Sequence, residues 1–286
     1  MDYVQPKQLV REALEVAARK AHLSGRDLLL RGFLAGGILA YATSLVFVVV
    51  SQGQPPVVGA LLFPVGFVIL VLLGLELATG NFALLPVGVA DGQVSFLSLL
   101  RNWAWVYLGN LIGSLFYAAL FYLAITNFGT TPNNPLAELV KAAAQKKTLG
   151  YMAMGAAGWE TAFLKGVLCN WMVTLGAVLA LASRSTVGKI VAMWLPILTF
   201  FAQGYEHSIV NMFVIPAGRF LGAPISFSQW WWWNQIPVTV GNIFSGAFLT
   251  GLALYYTFRS ATPVPAAPVV EPGSREPSLE QVPTPG

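Results

Sequence analysis

The chain has 286 residues, of which 56% are hydrophobic and 10% charged, with a mean hydropathy of +0.66. Soluble domains carry about a quarter charged residues, so an ordinary soluble protein is excluded and an integral, multi-pass membrane protein is expected. The formal charge of +4 is spread over the flanks of apolar stretches, which fits anionic lipid and topology and gives no case for nucleic acid; the lone Cys169 excludes a disulfide framework and a thiolate cluster, so no metal or cofactor is expected.

Residues 1–27 place Leu9, Ala13, Val16 and Ala17 at helical spacing among Lys7, Arg11, Arg19 and Lys20, which predicts an amphipathic helix lying on the membrane surface or on its own protein. A bilayer core needs about 20 apolar residues per helix. Six stretches supply them: 28–50, 59–90, 98–126, 158–182, 188–218 and 235–258, the second and fifth interrupted by polar residues. The expected class is therefore an all-α membrane protein whose membrane domain is 28–258. Residues 127–157 form a connector, with a short surface helix around Lys141 to Lys147, and Trp230 to Trp233 stand ahead of the sixth span as interfacial anchors. Beyond 258 the composition turns to Pro, Glu and Ser, so 259–286 reads as a disordered tail.

Basic residues orient the bundle. The region up to Arg31, with Arg101, Arg184, Lys189, Arg259 and Arg275, puts eleven Lys/Arg on one side, against Lys141, Lys146, Lys147 and Arg219 on the other. Positive residues stay inside, so both termini are expected in the cytoplasm of a protein of the inner (plasma) membrane.

One pattern occurs twice. Gly74-x-Glu76 with Asn81 and Pro86 is answered by Gly204-x-Glu206 with Asn211 and Pro216. Arg31-Gly32 is likewise answered by Lys165-Gly166, and Asn102 with Gly109-Asn110 by Asn234 with Gly241-Asn242. All three landmarks recur in order about 130 residues apart, which predicts two homologous halves, 28–128 and 158–258. Three spans per half is odd, so the halves enter the membrane in opposite senses, and such inverted repeats carry their sites near the midplane where broken helices meet.

Non-helical backbone at that depth must face protein or a cavity. Each break leaves a half-helix N-terminus, expected near Asn81 and near Ser208, whose free N–H groups favour an anion. Thr79 and Ser208 are candidate N-caps, and Thr79 is equally a candidate ligand. Glu76 and Glu206 would repel an anion if exposed, so they are expected to be buried acceptors for the backbone of their own breaks; Asn81 and Asn211 are expected to fix the same loops. Asn110, Asn170 and Asn242 either bond between helices or line the path. His207, at a break beside Glu206, is the titratable candidate for the substrate path, against the plainer role of a buried structural histidine.

Glu76-Leu77-Ala78-Thr79-Gly80-Asn81, Leu168-Cys169-Asn170-Trp171, Gly204-Tyr205-Glu206-His207-Ser208 through Asn211-Met212-Phe213, and Ile236-Pro237 through Gly241-Asn242 resemble the signature segments of the formate/nitrite transporter family. The resemblance implies an aquaporin-like six-helix bundle and a homopentamer with one anion path per protomer. His207 resembles the family's central histidine, Thr79 the threonine facing it, and Asn170 and Asn242 polar residues near the path. Lys165 is the candidate for a cationic vestibule. Phe63, Phe67 and Phe200 fall where the family builds apolar constrictions, with Leu77 and Ala78 at the first break. Ala78 replaces a bulky Phe usual in the family, so a wider constriction is expected there.

The function so implied is passage of small monovalent anions of weak acids, nitrite or formate first and bicarbonate as the alternative, with proton coupling through His207. A neutral-solute channel of similar fold and a membrane-embedded enzyme are the rivals from other classes. The enzyme reading lacks a second cluster of His, Cys or Asp.

Overall fold

The computed structural model describes residues 2–259, and the expected tail lies outside them from residue 260 onward. Four uninterrupted helices are long and apolar enough to cross a membrane: Gly25–Ser51, Phe96–Ile125, Ala156–Leu179 and Phe227–Phe258. These are the first, third, fourth and sixth spans. The second consists of Pro56–Leu72 followed by Ala78–Ala90, and the fifth of Thr186–Ala202 followed by Ser208–Phe220.

Local chemistry sets these limits. Ser24 and Ser95 cap the first and third spans, their hydroxyls accepting the amides of Asp27 and Ser98. The breaks begin at Gly74 and Gly204, whose φ values of 64° and 68° suit glycine. Each closes the upstream half-helix in the same way: the Leu75 amide returns to the Leu70 carbonyl, and the Tyr205 amide to the Phe200 carbonyl. The downstream half-helices each have 13 residues, preceded by extended residues of almost identical conformation, Leu77 (φ −116°, ψ 120°) and His207 (φ −110°, ψ 119°).

Two boundaries depart from expectation. The first half-helix starts at Ala78 rather than near Asn81, because Asn110 of the third span accepts the Ala78 amide and Thr79 does not cap the helix. The sixth span starts at Phe227, with the Trp run inside it: a capping box from Ser226 and Gln229 opens the helix, and Trp231–Gln235 continue it as a π-helical turn.

The two halves pack alike. The first span crosses the third, and the fourth crosses the sixth, with backbone against backbone. A Cβ on Gly36 would come within 2.2 Å of the Asn110 carbonyl oxygen, and one on Gly241 within 2.3 Å of that of Phe163. Only glycine permits this approach.

Each half also carries an amphipathic helix in front of it. Pro6–His22 packs Ala13, Ala17 and Ala21 against Leu84, Leu85, Val94 and Leu99, so of the two expected locations it takes the one on its own protein. Pro135–Lys147 occupies the matching place before the second half, with Ala144 against Ile215 and Ala223. On the face that bears Pro6–His22, Phe258 at the end of the sixth span packs against Val10 and Leu14, and Arg184 between the fourth and fifth spans pairs with Glu12.

Candidate functional site

The two breaks are braced by one hydrogen-bond plan, used twice. In the first half, Lys20 donates to Glu76 Oε1 at 2.7 Å and Asn81 Nδ2 to Glu76 Oε2 at 2.7 Å. Asn81 also donates to Asn102 at 2.8 Å, and Asn102 to the Lys20 carbonyl at 3.0 Å. In the second, Lys147 donates to Glu206 Oε2 at 2.7 Å and Asn211 to the same oxygen at 2.8 Å. Asn211 donates to Asn234 at 2.8 Å, and Asn234 to the Lys147 carbonyl at 2.9 Å. The second half adds Tyr151, whose hydroxyl donates to Glu206 Oε1 at 2.8 Å.

Glu76 and Glu206 are buried, and an unpaired carboxylate there would be costly. Their partners are a lysine from each amphipathic helix and an asparagine amide. The expectation that they accept backbone amides of their own breaks is therefore corrected: the Glu206 amide donates to the Lys165 carbonyl at 3.3 Å, and the carboxylates take side-chain donors.

Asn110 and Asn242 perform a second matched task. Asn110 Oδ1 accepts the Ala78 amide at 2.9 Å, and its Nδ2 donates to the carbonyls of Gly32 and Glu76. Asn242 Oδ1 accepts the Ser208 amide at 2.9 Å, and its Nδ2 donates to the carbonyls of Gly166 and Glu206. Each satisfies the first free amide of a half-helix and ties the break to a neighbouring span. Asn242, expected beside the path, thus has both ends of its amide committed to holding the break.

The halves differ where they meet. His207, not Ser208, precedes the second half-helix, and its Nδ1 accepts the Val210 amide at 3.2 Å. An acceptor nitrogen carries no proton, so this bond places the neutral ring's proton on Nε2. Nε2 lies 3.1 Å from the Thr79 hydroxyl, which can accept that proton. Thr79 lies inside the first half-helix rather than at its cap, so of its two expected roles the cap is removed. Both residues are buried. The Ser208 hydroxyl is also buried and has no protein partner among the described residues.

Asn170 reaches this pair from the fourth span, its Nδ2 donating to the Thr79 carbonyl at 3.1 Å and the Asn242 carbonyl at 2.7 Å. Its Oδ1 is buried without a protein partner among the described residues. Phe200 stacks on the His207 ring with centroids 5.8 Å apart, Phe63 meets Phe200 edge-on at 5.9 Å, and Phe63 stacks on Phe201 at 3.9 Å. Phe201 is an addition to the expected aromatic set.

A vestibule of about 440 Å³ opens on the face of the N-terminal helix. Arg19, Lys20, Arg31 and Lys189 line it, and Phe67, Leu70, Leu77 and Gly80 are among its walls at the break. His207, Thr79 and Ala78 are not among its lining residues. Leu77 rather than Ala78 therefore faces this vestibule, and the Ala78 amide is turned to Asn110. Lys165 is half-buried in the other half, with Nζ 5.8 Å from the centre of the Tyr151 ring.

Sequence reasoning had assigned Lys20 and Lys147 only to the topology, and it missed Tyr151. The usable signal was that each lysine stands nearly the same distance before its glutamate, 56 and 59 residues.

The sequence model of the formate/nitrite transporter family matches residues 7–256. A probable formate transporter of Methanothermobacter thermautotrophicus is 35% identical, covering 90% of this chain and 97% of that protein. The formate channel BtFdhC of Bacillus thuringiensis is 30% identical over 91% and 97% of the two chains. Among solved structures, an FNT family ion channel superposes with a TM-score of 0.76 at 29% identity, covering 90% of this chain and 99% of that one. A pentameric formate channel with formate bound gives 0.67 at 27% identity, covering 82% and 97%. The matched half-helices are thus those of an aquaporin-like bundle of two inverted repeats, a transport architecture rather than an enzyme's, and the chain belongs to the formate/nitrite transporter family.

Proposed function

We propose that the protein is a homopentameric channel of the inner membrane, termini cytoplasmic, passing small monovalent anions of weak acids with formate or nitrite foremost. Bicarbonate is the alternative within the same family. The observation that carries this reading is the His207–Thr79 pair, a neutral imidazole donor and a hydroxyl buried together where the two broken helices meet.

Arg19, Lys20, Arg31 and Lys189 raise the local anion concentration in one vestibule. Lys165 stands at the position that answers Arg31 in the other half and serves the opposite vestibule. Phe67 and Leu77 form the first constriction, and Phe63, Phe200 and Phe201 the second. Between apolar rings a bare anion is costly, so donors or a proton must meet it there. The Thr79 hydroxyl accepts from His207 Nε2–H and keeps its own proton to donate to the anion, and the free ends of two half-helices add positive potential. The substrate crosses the aromatic ring as the neutral acid, its proton arriving with it through water, while His207 stays neutral because Nδ1 is held by the Val210 amide. Glu76, Asn81, Glu206 and Asn211 keep the two breaks in register, and Asn170 carries the Thr79 carbonyl.

The resemblance to channels named for formate supports the substrate class. Competition among formate, nitrite, bicarbonate and hydrosulfide in reconstituted vesicles, with wild type and His207→Asn followed across pH, tests the reading. It predicts pH-dependent uptake of weak-acid anions that falls in the variant. Equal flux in the two proteins would reject it.

A further inference from the structure

We propose that the vestibule on the face of the N-terminal helix is a binding site for a polyvalent oxyanion of the hydrogen phosphate class, which plugs the path from that face alone. The inference rests on the channel reading above and adds regulation of it.

The vestibule holds four cations and one acid among its lining residues. Among its lining residues, Glu76 is the acid, and it is already paired with Lys20 at 2.7 Å. Arg19 is mostly exposed, 3.8 Å from Glu15. Arg31 and Lys189, both half-buried, have no acidic partner among the described residues although they line the same cavity. A guanidinium and an ammonium in one cavity of about 440 Å³ suit a tetrahedral oxyanion, the first binding two oxygens at once and the second acting as a point charge.

Charge then separates the plug from the substrate. A monovalent anion becomes neutral by taking one proton and can leave through Phe67 and Leu77. Hydrogen phosphate still carries a charge after one proton, so apolar rings that admit a neutral acid hold it back. It is drawn in more strongly than the substrate and cannot pass.

One-sidedness follows from the repeat. With Gly74 aligned to Gly204, Lys189 falls opposite the uncharged Gly59. Arg31 is answered by Lys165, whose ammonium lies over the Tyr151 ring, and Lys147 is consumed by Glu206. The opposite vestibule thus has no counterpart of the Arg31–Lys189 combination, with Gly59 and the Tyr151-stacked Lys165 at the matching positions.

The test follows labelled formate uptake into right-side-out and everted membrane vesicles, with sodium phosphate outside and ionic strength held constant with sodium gluconate. The readout is the ratio of inhibited to uninhibited flux within each protein. Inhibition is expected from the face of the N-terminal helix, and weakened about fivefold for each cation removed in Arg31→Gln and Lys189→Gln, as for a partly screened charge. Arg31→Lys and Lys189→Arg should restore it. Thermal unfolding of the detergent-purified protein with phosphate added gives a reading independent of flux: wild type should be stabilised and Arg31→Gln/Lys189→Gln less so. Equal inhibition from both faces, or wild-type inhibition and phosphate stabilisation in the double variant, would overturn the plug. Absence of formate flux with phosphate stabilisation intact would fall on the channel reading and leave the binding site standing.

Discussion

Lys147 and Glu206, separated by 59 residues in sequence, meet at 2.7 Å beneath the second break, and the carboxylate is buried while the lysine comes from an amphipathic helix outside the span. Lys20 and Glu76 repeat this relationship in the other half. Each peripheral helix is therefore fastened to the break it covers by a charge that cannot be left alone. Truncating the lysine strands a buried carboxylate, at a cost of about 3–5 kcal/mol for a buried ion pair. Lys147→Met should lower the thermal unfolding temperature in detergent sharply, and Lys147→Met/Glu206→Gln should recover most of the loss. A double variant as unstable as the single would show that the lysine contributes packing rather than charge.

His207 has two separable duties, a cap through Nδ1 and a donor through Nε2. His207→Asn can keep the cap, because an asparagine oxygen accepts the same kind of amide, but it cannot reach Thr79 in the same way. His207→Ala loses both, with about 1 kcal/mol of cap energy added to the functional loss. Formate flux should fall in both variants while unfolding temperature falls mainly in the alanine one. Parallel losses of stability and flux in both would mean that the histidine is only structural.

Thr79→Ser and Thr79→Val separate hydroxyl from shape. Thr79 is fully buried and its hydroxyl pairs with His207, so Thr79→Val leaves a buried imidazole N–H without an acceptor, a penalty of about 1–3 kcal/mol. Flux should drop at least about tenfold in Thr79→Val, the factor that corresponds to 1.4 kcal/mol, and remain near wild type in Thr79→Ser. Uptake assays in proteoliposomes with matched protein content decide it.

The spans and the doubling were legible because each rests on local pattern. Twenty-residue apolar runs mark helices, and Gly74 and Gly204, both at positive φ, mark where the second and fifth spans break. The aromatic site is partly legible: Phe63 and Phe200 come from the resemblance, while Phe201, which stacks on Phe63 from the last turn of the same half-helix as Phe200, carries no local signal of that contact. The bracing was not legible. Lys20 and Glu76 are 56 residues apart, and nothing local at Lys20 distinguishes a partner of a buried acid from a solvated charge on an amphipathic helix. The start of the first half-helix differs from expectation because Thr79 is a good cap in isolation, whereas Asn110, 32 residues on, accepts the Ala78 amide.

Asn242, which the sequence leaves either between helices or along the path, supplies the last prediction. Its Oδ1 accepts the Ser208 amide and its Nδ2 donates to two carbonyls, so every contact runs to backbone around the second break. Asn242→Asp keeps the acceptor but removes the donors, and it sets a carboxylate against the Gly166 and Glu206 carbonyls. Asn242→Leu leaves the Ser208 amide and both carbonyls unsatisfied, each at about 1–3 kcal/mol. Because His207 stands one residue before Ser208, loosening this anchor should move the imidazole as well as destabilise the fold. Both variants should therefore lose flux and unfold at lower temperature, and Asn110→Leu should destabilise the first break through its matching bonds to Ala78, Gly32 and Glu76 while leaving the His207 cap intact. Flux normalised to folded protein separates the two: it should fall further for Asn242→Leu than for Asn110→Leu, and the reverse order would show that the half that holds His207 is not the one that sets the rate.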